Sequence, residues 1–369
     1  MKRVGFLYEE IASIDNCRKA VIDAFKNKKA HFKRKNKKYL AYSEDYARQL
    51  SEMLKNKAFT PSPYRKFELM DGIKKKQRTI STTVFFPDQC IHRAICQVLE
   101  RVIMRGAYFY SCSSIKGKGQ TFVKDSVQTW FRKDKKHTKY CFKFDIRHFY
   151  ESVDNDTLKQ KLRRVIKDAD CLELLDKIID NSNGLPIGTM LSPRLANFFL
   201  QDFDHYIKEQ CGARYYIRYA DDCCIFASSK RELHRIREKI ITFLRREGLE
   251  LKDDWQVFLV YGDWKKKRQI KRIGRRVDYC GYAMSHVNTT LRKNISLRAM
   301  RNCRKLKAGR FTIKRCRRLM AYNGWLIHTD SRNFQNEYVN EVYNKAKEVI
   351  SNYDKERVHK HGPAVHCAG

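Results

Sequence analysis

Three aspartates carry the chemistry this sequence is equipped for. Asp145 closes the run Tyr140-Cys141-Phe142-Lys143-Phe144, and Asp221-Asp222 stands between two aromatic and β-branched runs. Carboxylates are hard oxygen ligands, suited to Mg²⁺ or Mn²⁺ rather than to the softer ions that take Cys and His. Two such ions about 4 Å apart stabilise both the attacking and the leaving oxygen of a displacement at phosphorus. Aspartates converging from separate strands therefore point to nucleotide addition. An Asp-Asp pair alone is weak evidence, because such pairs commonly form turns. Its setting strengthens it: like charges on a hairpin flanked by Tyr215, Tyr216, Ile217, Ile225 and Phe226 cost stability unless cations compensate them.

The elements that must position these acids are legible in the spacing. Tyr140 to Asp145 reads as a strand ending in a carboxylate. Asp154-Asn155-Asp156 then caps a helix with Leu158, Leu162, Val165 and Ile166 on one face. Gly184-Leu185-Pro186-Ile187-Gly188 is a turn-rich loop. Ser192 is expected to cap the next helix, with Pro193 at its first position and Leu195, Phe199, Phe203 and Tyr206 as its buried stripe up to Gly212. The runs 214–220 and 223–227 form a hairpin with Asp221-Asp222 at its tip, followed by an amphipathic helix from Lys230 to Glu247 closed by Gly248. Upstream, residues 1–60 read as helical and basic, Lys66 to Phe86 as a hairpin carrying Lys76 and Arg78, and Asp88 to Ile103 as a core helix. Downstream come a basic segment from Lys265 to Arg276, a hairpin around Tyr279 to Tyr282, and two basic helices, 296–307 and 312–322, separated by Gly309. The tail from Asp354 to Gly369 reads as frayed, and His359, His361, His366 and Cys367 in it as disordered rather than as a metal site.

Composition names the partner class. The 369 residues carry 78 Lys+Arg against 41 Asp+Glu, a net charge of +37. Such a field repels itself unless a polyanion neutralises it, and nucleic acid is the natural polyanion. A membrane surface is the weaker alternative, and no run of about 18 apolar residues is present to cross a bilayer. The 13 cysteines are odd in number, scattered from Cys17 to Cys367 and never spaced C-x-x-C, so they read as reduced. The apolar stretch at the N-terminus meets Glu9 and Glu10 too soon for a signal peptide, which makes a cytoplasmic location the expectation. At this length two or three subdomains sharing a continuous core are expected.

Tyr219-Ala220-Asp221-Asp222 resembles the active-site box of reverse transcriptases, and Phe144-Asp145-Ile146-Arg147-His148-Phe149-Tyr150 resembles their first aspartate motif. Gly184-Leu185-Pro186-Ile187-Gly188-Thr189-Met190-Leu191-Ser192-Pro193 with Ala196-Asn197 is similar to the segment that holds template and incoming nucleotide. The resemblance implies an α+β right-hand polymerase: a basic N-terminal extension over 1–60, fingers over 61–139, an RRM-like antiparallel palm sheet over 140–285 with a fingers contribution around 157–190, a helical thumb over 286–353, and a flexible tail over 354–369. It implies two Mg²⁺ ions, with Mn²⁺ as the alternative, on Asp145, Asp221 and the carbonyl of Ile146, and Asp222 as a supporting acid in the catalytic set. Tyr150 matches the steric gate against a ribose 2′-OH, its other reading being a core aromatic. Lys76 and Arg78 match the residues gripping the triphosphate of a dNTP, and Ile187 and Gly188 line the nascent pair. Lys252 matches the lysine that protonates pyrophosphate, its other reading being a surface lysine. Lys116, Lys118, Ser192, Pro193, Arg292, Lys293, Arg301 and Arg304 would contact the structured RNA template and the cDNA/RNA duplex.

A narrower likeness runs from about Lys66 to Ser331. Ile187 where most relatives have Gln, Gly117-Lys118-Gly119, Val277-Asp278-Tyr279-Cys280-Gly281-Tyr282 and Tyr322-Asn323-Gly324-Trp325 resemble the reverse transcriptases of diversity-generating retroelements. That subgroup copies a template-repeat RNA with errors opposite adenines and works with a small basic helical-bundle accessory protein. Pro193 departs from the subgroup, standing where group II intron and retron enzymes also have proline. A retron or defence-associated reverse transcriptase is thus the alternative, and a polymerase-shaped RNA binder without turnover the reading from another class.

Overall fold

The computed structural model describes residues 3–26, 28, 30–71, 76–266 and 269–361, with the side chains of 30, 71, 76, 266 and 357–361 outside that description. The chain divides into two units. The first comprises Met1–Ser114, Lys143–Ile225 and His234–Gln256, and the second Ile115–Phe142, Phe226–Leu233 and Val257–Gly369.

In the first unit the helices Ile14–Lys26, Ser43–Lys55 and Cys90–Ile103 bury the apolar positions their periodicity marks, among them Val21, Leu50, Ile91, Ile95 and Leu99. The expected basic hairpin is present. Strand β1 (Arg65–Asp71) pairs antiparallel with β2 (Lys76–Thr82), Leu69 opposite Arg78. A five-stranded sheet follows, built from β3 (Ser111–Cys112), β4 (Tyr140–Asp145), β5 (Tyr215–Tyr219), β6 (Asp222–Ala227) and β7 (Gln256–Leu259) in the order β3-β5-β6-β4-β7. Strands β4, β6 and β7 contain residues of both units. Central β6 reads Cys223-Cys224-Ile225-Phe226-Ala227 without alternation because each of these side chains is buried.

Several local expectations are altered. Asp222 is the first residue of β6, so the turn consists of Ala220 and Asp221. The sheet is not purely antiparallel, since β3 pairs parallel with β5 through Ser111↔Arg218 and Cys112↔Tyr219. Ser192 is not a side-chain cap: the helix Ser192–Phe199 already includes it, and its N–H donates to Thr189 Oγ1 at 3.3 Å. The stripe continues through Leu195, Phe199 and Phe203 but ends on buried Ile207 rather than Tyr206, where the helix loosens into a wider turn. The Asp154 cap is as expected, accepting from Thr157 N at 2.7 Å.

In the second unit the basic segment forms a ribbon, β8 (Gly262–Lys266) antiparallel to β9 (Gln269–Ile273). A meander of β10 (Val277–Tyr279), β11 (Tyr282–Met284) and β12 (Thr289–Leu291) comes next. The basic helices span Lys293–Lys307 and Ile313–Leu326, the second capped by Thr312. A third helix, Asn340–His361, runs past Asp354, where fraying was expected. Asp354 is tied to Arg317 at 2.7 Å, and that guanidinium also lies over Tyr353, which gives this stretch a tertiary hold. His366 and Cys367, and the side chains of His359 and His361, lie outside the described residues.

Candidate active site

Strand β4 delivers Asp145 to the sheet end, and the chain continues alongside residues 250–252. Lys252 N donates to the Asp145 carbonyl at 3.0 Å and Arg147 N to the Glu250 carbonyl at 2.8 Å, around an antiparallel Ile146↔Leu251 bridge. In such a bridge the central residue's own N–H and C=O face the opposite edge. The Ile146 carbonyl is therefore directed toward the side on which β6 and the Ala220-Asp221 turn lie.

That turn places the Asp221 carboxyl within hydrogen-bonding reach of Asp145. No donor among the described residues reaches the buried Oδ1 of Asp145. Burial, and then the neighbouring Asp221 charge, push the Asp145 carboxyl up to about 7. Lys252 counters this from 4.0 Å and is itself held by Asp254 at 2.8 Å, contacts that raise its own pKa, Asp254 foremost. Asp222 Oδ2 lies 3.6 Å from Lys143 Nζ. No cluster of three or more His, Cys, Asp or Glu side chains suited to a metal exists among the described residues. A cation here would take two carboxylates and backbone oxygen. A buried carboxylate oxygen without a donor, a second acid against it and a carbonyl aimed the same way fit a hard divalent ion.

Tyr150 belongs to the same site. Burial and the charge of Asp221 push its phenol up to about 12, so it stays protonated. Its backbone is clasped by the glycine loop: Leu185 N donates to the Tyr150 carbonyl at 2.7 Å. A Cβ on Gly184 would stand 2.7 Å from the carbonyl oxygens of Tyr150 and Glu151, and φ is +69°, so only glycine fits. At the loop's far end Ser81 N donates to the Ile187 carbonyl at 2.7 Å, tying it to β2. A Cβ on Gly188, at φ +114°, would meet Ser81 O at 2.7 Å.

One positioning group escaped the sequence reading. Arg218 in β5 is fully buried and bonds to Asp204 at 2.8 and 2.6 Å, Asn197 Oδ1 at 3.1 Å, Ser111 Oγ at 2.6 Å and the Ala220 carbonyl at 2.8 Å. Burial opposes its charge, but Asp204 more than offsets this and holds its pKa above the ordinary arginine value. Ala220 N donates to the Cys112 carbonyl at 3.3 Å, so both backbone groups of this left-handed residue, φ 56°, are pinned just before Asp221. The signal was a lone arginine inside the otherwise apolar run Tyr215-Tyr216-Ile217-Arg218-Tyr219, which demanded a buried partner.

Residues 63–283 match the family model described as reverse transcriptase (RNA-dependent DNA polymerase). The chain belongs to that family. Among curated relatives of this reverse transcriptase, the Retron Ec86 reverse transcriptase of Escherichia coli is 36% identical over 78 residues, 21% of this chain and 24% of that protein. The group II intron-encoded protein LtrA of Lactococcus lactis subsp. cremoris is 23% identical over 179 residues, 45% of this chain and 29% of that protein. Among solved structures, apo telomerase from Candida tropicalis aligns with a TM-score of 0.48 at 12% identity, over 82% of this chain and 58% of that one. The chain thus spans less than a third of either curated relative it matches.

The remaining expected site residues fall elsewhere. Arg78 is exposed on β2, and the side chain of Lys76 lies outside the described residues. Ser192 and Pro193 begin their helix, the Ser192 hydroxyl 2.6 Å from that of Thr189. Lys116, Lys118, Arg292, Lys293, Arg301 and Arg304 belong to the second unit. Arg292 there is ion-paired with Asp278, and the exposed Arg304 lies over the Tyr338 ring.

Proposed function

We propose that this reverse transcriptase is an RNA-directed DNA polymerase whose active centre is the Asp145-Asp221 pair. The observation that carries the reading is the convergence of these two acids from the end of β4 and the β5–β6 turn, with a buried oxygen on Asp145 that no donor among the described residues reaches. Divalent cations held by Asp145, Asp221 and the Ile146 carbonyl would stabilise negative charge on the reacting oxygens. Lys252, kept protonated by Asp254 and Asp145, holds a proton at Nζ for the departing pyrophosphate. Tyr150, its backbone pinned by Leu185, presents a ring that would collide with a 2′-OH and so select deoxynucleotides. In this reading β1 and β2 act as fingers, the five-stranded sheet as palm and the C-terminal helices as thumb, with template RNA, the growing duplex and dNTPs as ligands. Primer extension on an RNA template tests it: Mg²⁺-dependent synthesis should vanish in Asp221→Ala, and equal synthesis by both proteins would refute it.

The finer reading is a diversity-generating retroelement enzyme, cytoplasmic and served by a small basic accessory protein. Ile187 supports it, because a branched apolar side chain lacks the hydrogen bonds of Gln and leaves pair discrimination to packing. Sequencing cDNA made on a defined RNA should show errors concentrated at template adenines, and an even spread would refute this subgroup. The retron reading is supported by Pro193 and by the 36% identity over 78 residues to a retron enzyme.

A further inference from the structure

The ribbon β8–β9 plays no part in the acid site, yet it concentrates charge. Eight of the fifteen residues 262–276 are Lys or Arg, and Asp263 is the only acid. That acid is taken by Arg272 across the ribbon, at 2.8 and 3.2 Å. The register sets Lys265 opposite Ile270 and Trp264 opposite Lys271, so both faces carry cations.

The ribbon stands on a fixed base. Trp264 is buried and donates from Nε1 to the Val260 carbonyl at 2.8 Å. Its ring meets His286 edge-on, with the ammonium groups of Lys135 and Lys139 over it at 5.1 and 5.4 Å. The returning strand is locked by Arg275 N to the Leu259 carbonyl and Tyr261 N to the Arg275 carbonyl, each 2.8 Å. Gly274, at φ +111°, permits this crossing, because a Cβ there would stand 2.7 Å from Val260 O.

We propose that this ribbon, with Lys135 and Lys139 beside it, is a second nucleic-acid surface that grips the phosphate backbone of folded RNA. Single strands are held by exposed aromatic platforms. Here the ribbon's one aromatic ring is buried and covered by lysines. A protein partner fits poorly, since interfaces deplete lysine at their cores and the ribbon offers one exposed apolar side chain, Ile270. Double-stranded RNA is recognised by shape and phosphate contacts, which suits a stiff strip of cations. RNA rather than DNA is the part that rests on the polymerase reading.

The test measures affinity of the full chain for a long stem-loop RNA across a KCl series, without dNTPs, for the parent and for Lys135→Ala/Lys265→Ala/Lys271→Ala. Removing three phosphate contacts should flatten the slope of log K against log salt by about 3. Extension of a short primer on a short RNA template should be unchanged, which also verifies folding. An unchanged slope overturns the proposal, as does equal weakening toward an unstructured RNA of the same length. Equal weakening toward a matching DNA duplex overturns the assignment to RNA. Failure of the parent to extend primers would count against the polymerase reading and leave the slope comparison standing.

Discussion

Replacing Arg218 with Met roughly preserves side-chain length while removing the charge and every donor. Five hydrogen bonds go, two of them to Asp204, which is fully buried and keeps the Tyr216 hydroxyl as a donor at 2.7 Å. Breaking one side of a buried ion pair costs about 3–5 kcal/mol. For an unfolding unit of about 150–250 residues, each kcal/mol lowers Tm by about 2–4 °C, so a fall of roughly 6–20 °C is expected by thermal melting. The loss of the bond to the Ala220 carbonyl also frees the turn that carries Asp221. A displacement of about 1 Å in a positioned group lowers turnover on the order of 100-fold. Steady-state primer extension, run below both melting temperatures, should show that loss in kcat, with KM for dNTP little changed because Arg218 is fully buried and offers no surface to a ligand. Arg218→Met/Asp204→Leu should recover melting temperature but not kcat. A parent-like Tm refutes the energetic reasoning, and a parent-like kcat in a less stable variant refutes the positioning.

Three further outcomes follow from the geometry. Mg²⁺ should raise Tm more at pH 7.5 than at pH 5.5: the folded Asp145 carboxyl, raised to about 7, binds its proton more tightly than the unfolded one, so this group's contribution to stability declines as pH climbs from about 4 to about 7, and the ion relieves the charge that appears. An equal Mg²⁺ effect at both pH values would contradict that placement of Asp145. Gly188→Ala should weaken dNTP binding and lower Tm, because its Cβ would press on Ser81 O and force a positive φ on alanine; unchanged KM and Tm would mean the loop yields easily. Gly281→Ala should destabilise the second unit by more than about 1 kcal/mol, on the order expected for overpacking, since a Cβ there would overlap the Trp325 ring; urea melts with an unshifted midpoint would contradict this.

How much could be read beforehand depended on whether local chemistry decided the outcome. Strand β4 came out with its expected ends, since an apolar run stopping at a carboxylate leaves little choice, and the Asp154 cap obeyed local rules, although Ile166, expected on the face of the following helix, stands just past its end in extended backbone. The acid pair was foreseen from strand order and like-charge cost. Asp222 was put at the tip because adjacency in sequence conceals that successive strand residues face opposite ways. Arg218 was overlooked since its role depends on Asp204, Asn197 and Ser111, which only tertiary folding assembles. The ribbon was read merely as charge, because lysine-rich strands lack the apolar alternation that announces pairing. Helix Asn340–His361, within the expected helical thumb up to residue 353, was not singled out for a related reason, its buried side being as narrow as Val342 and Ala346.

The glycine loop has a mechanical consequence. One end is bonded to the backbone of Tyr150 and the other to that of Ser81, with only Pro186 between Leu185 and Ile187. So short a link has little slack, and it behaves as a coupling rod between Tyr150 and the hairpin bearing Arg78. A change that shifts one end is transmitted to the other, so substitutions within the loop move the Tyr150 backbone and the β2 backbone at Ser81 together.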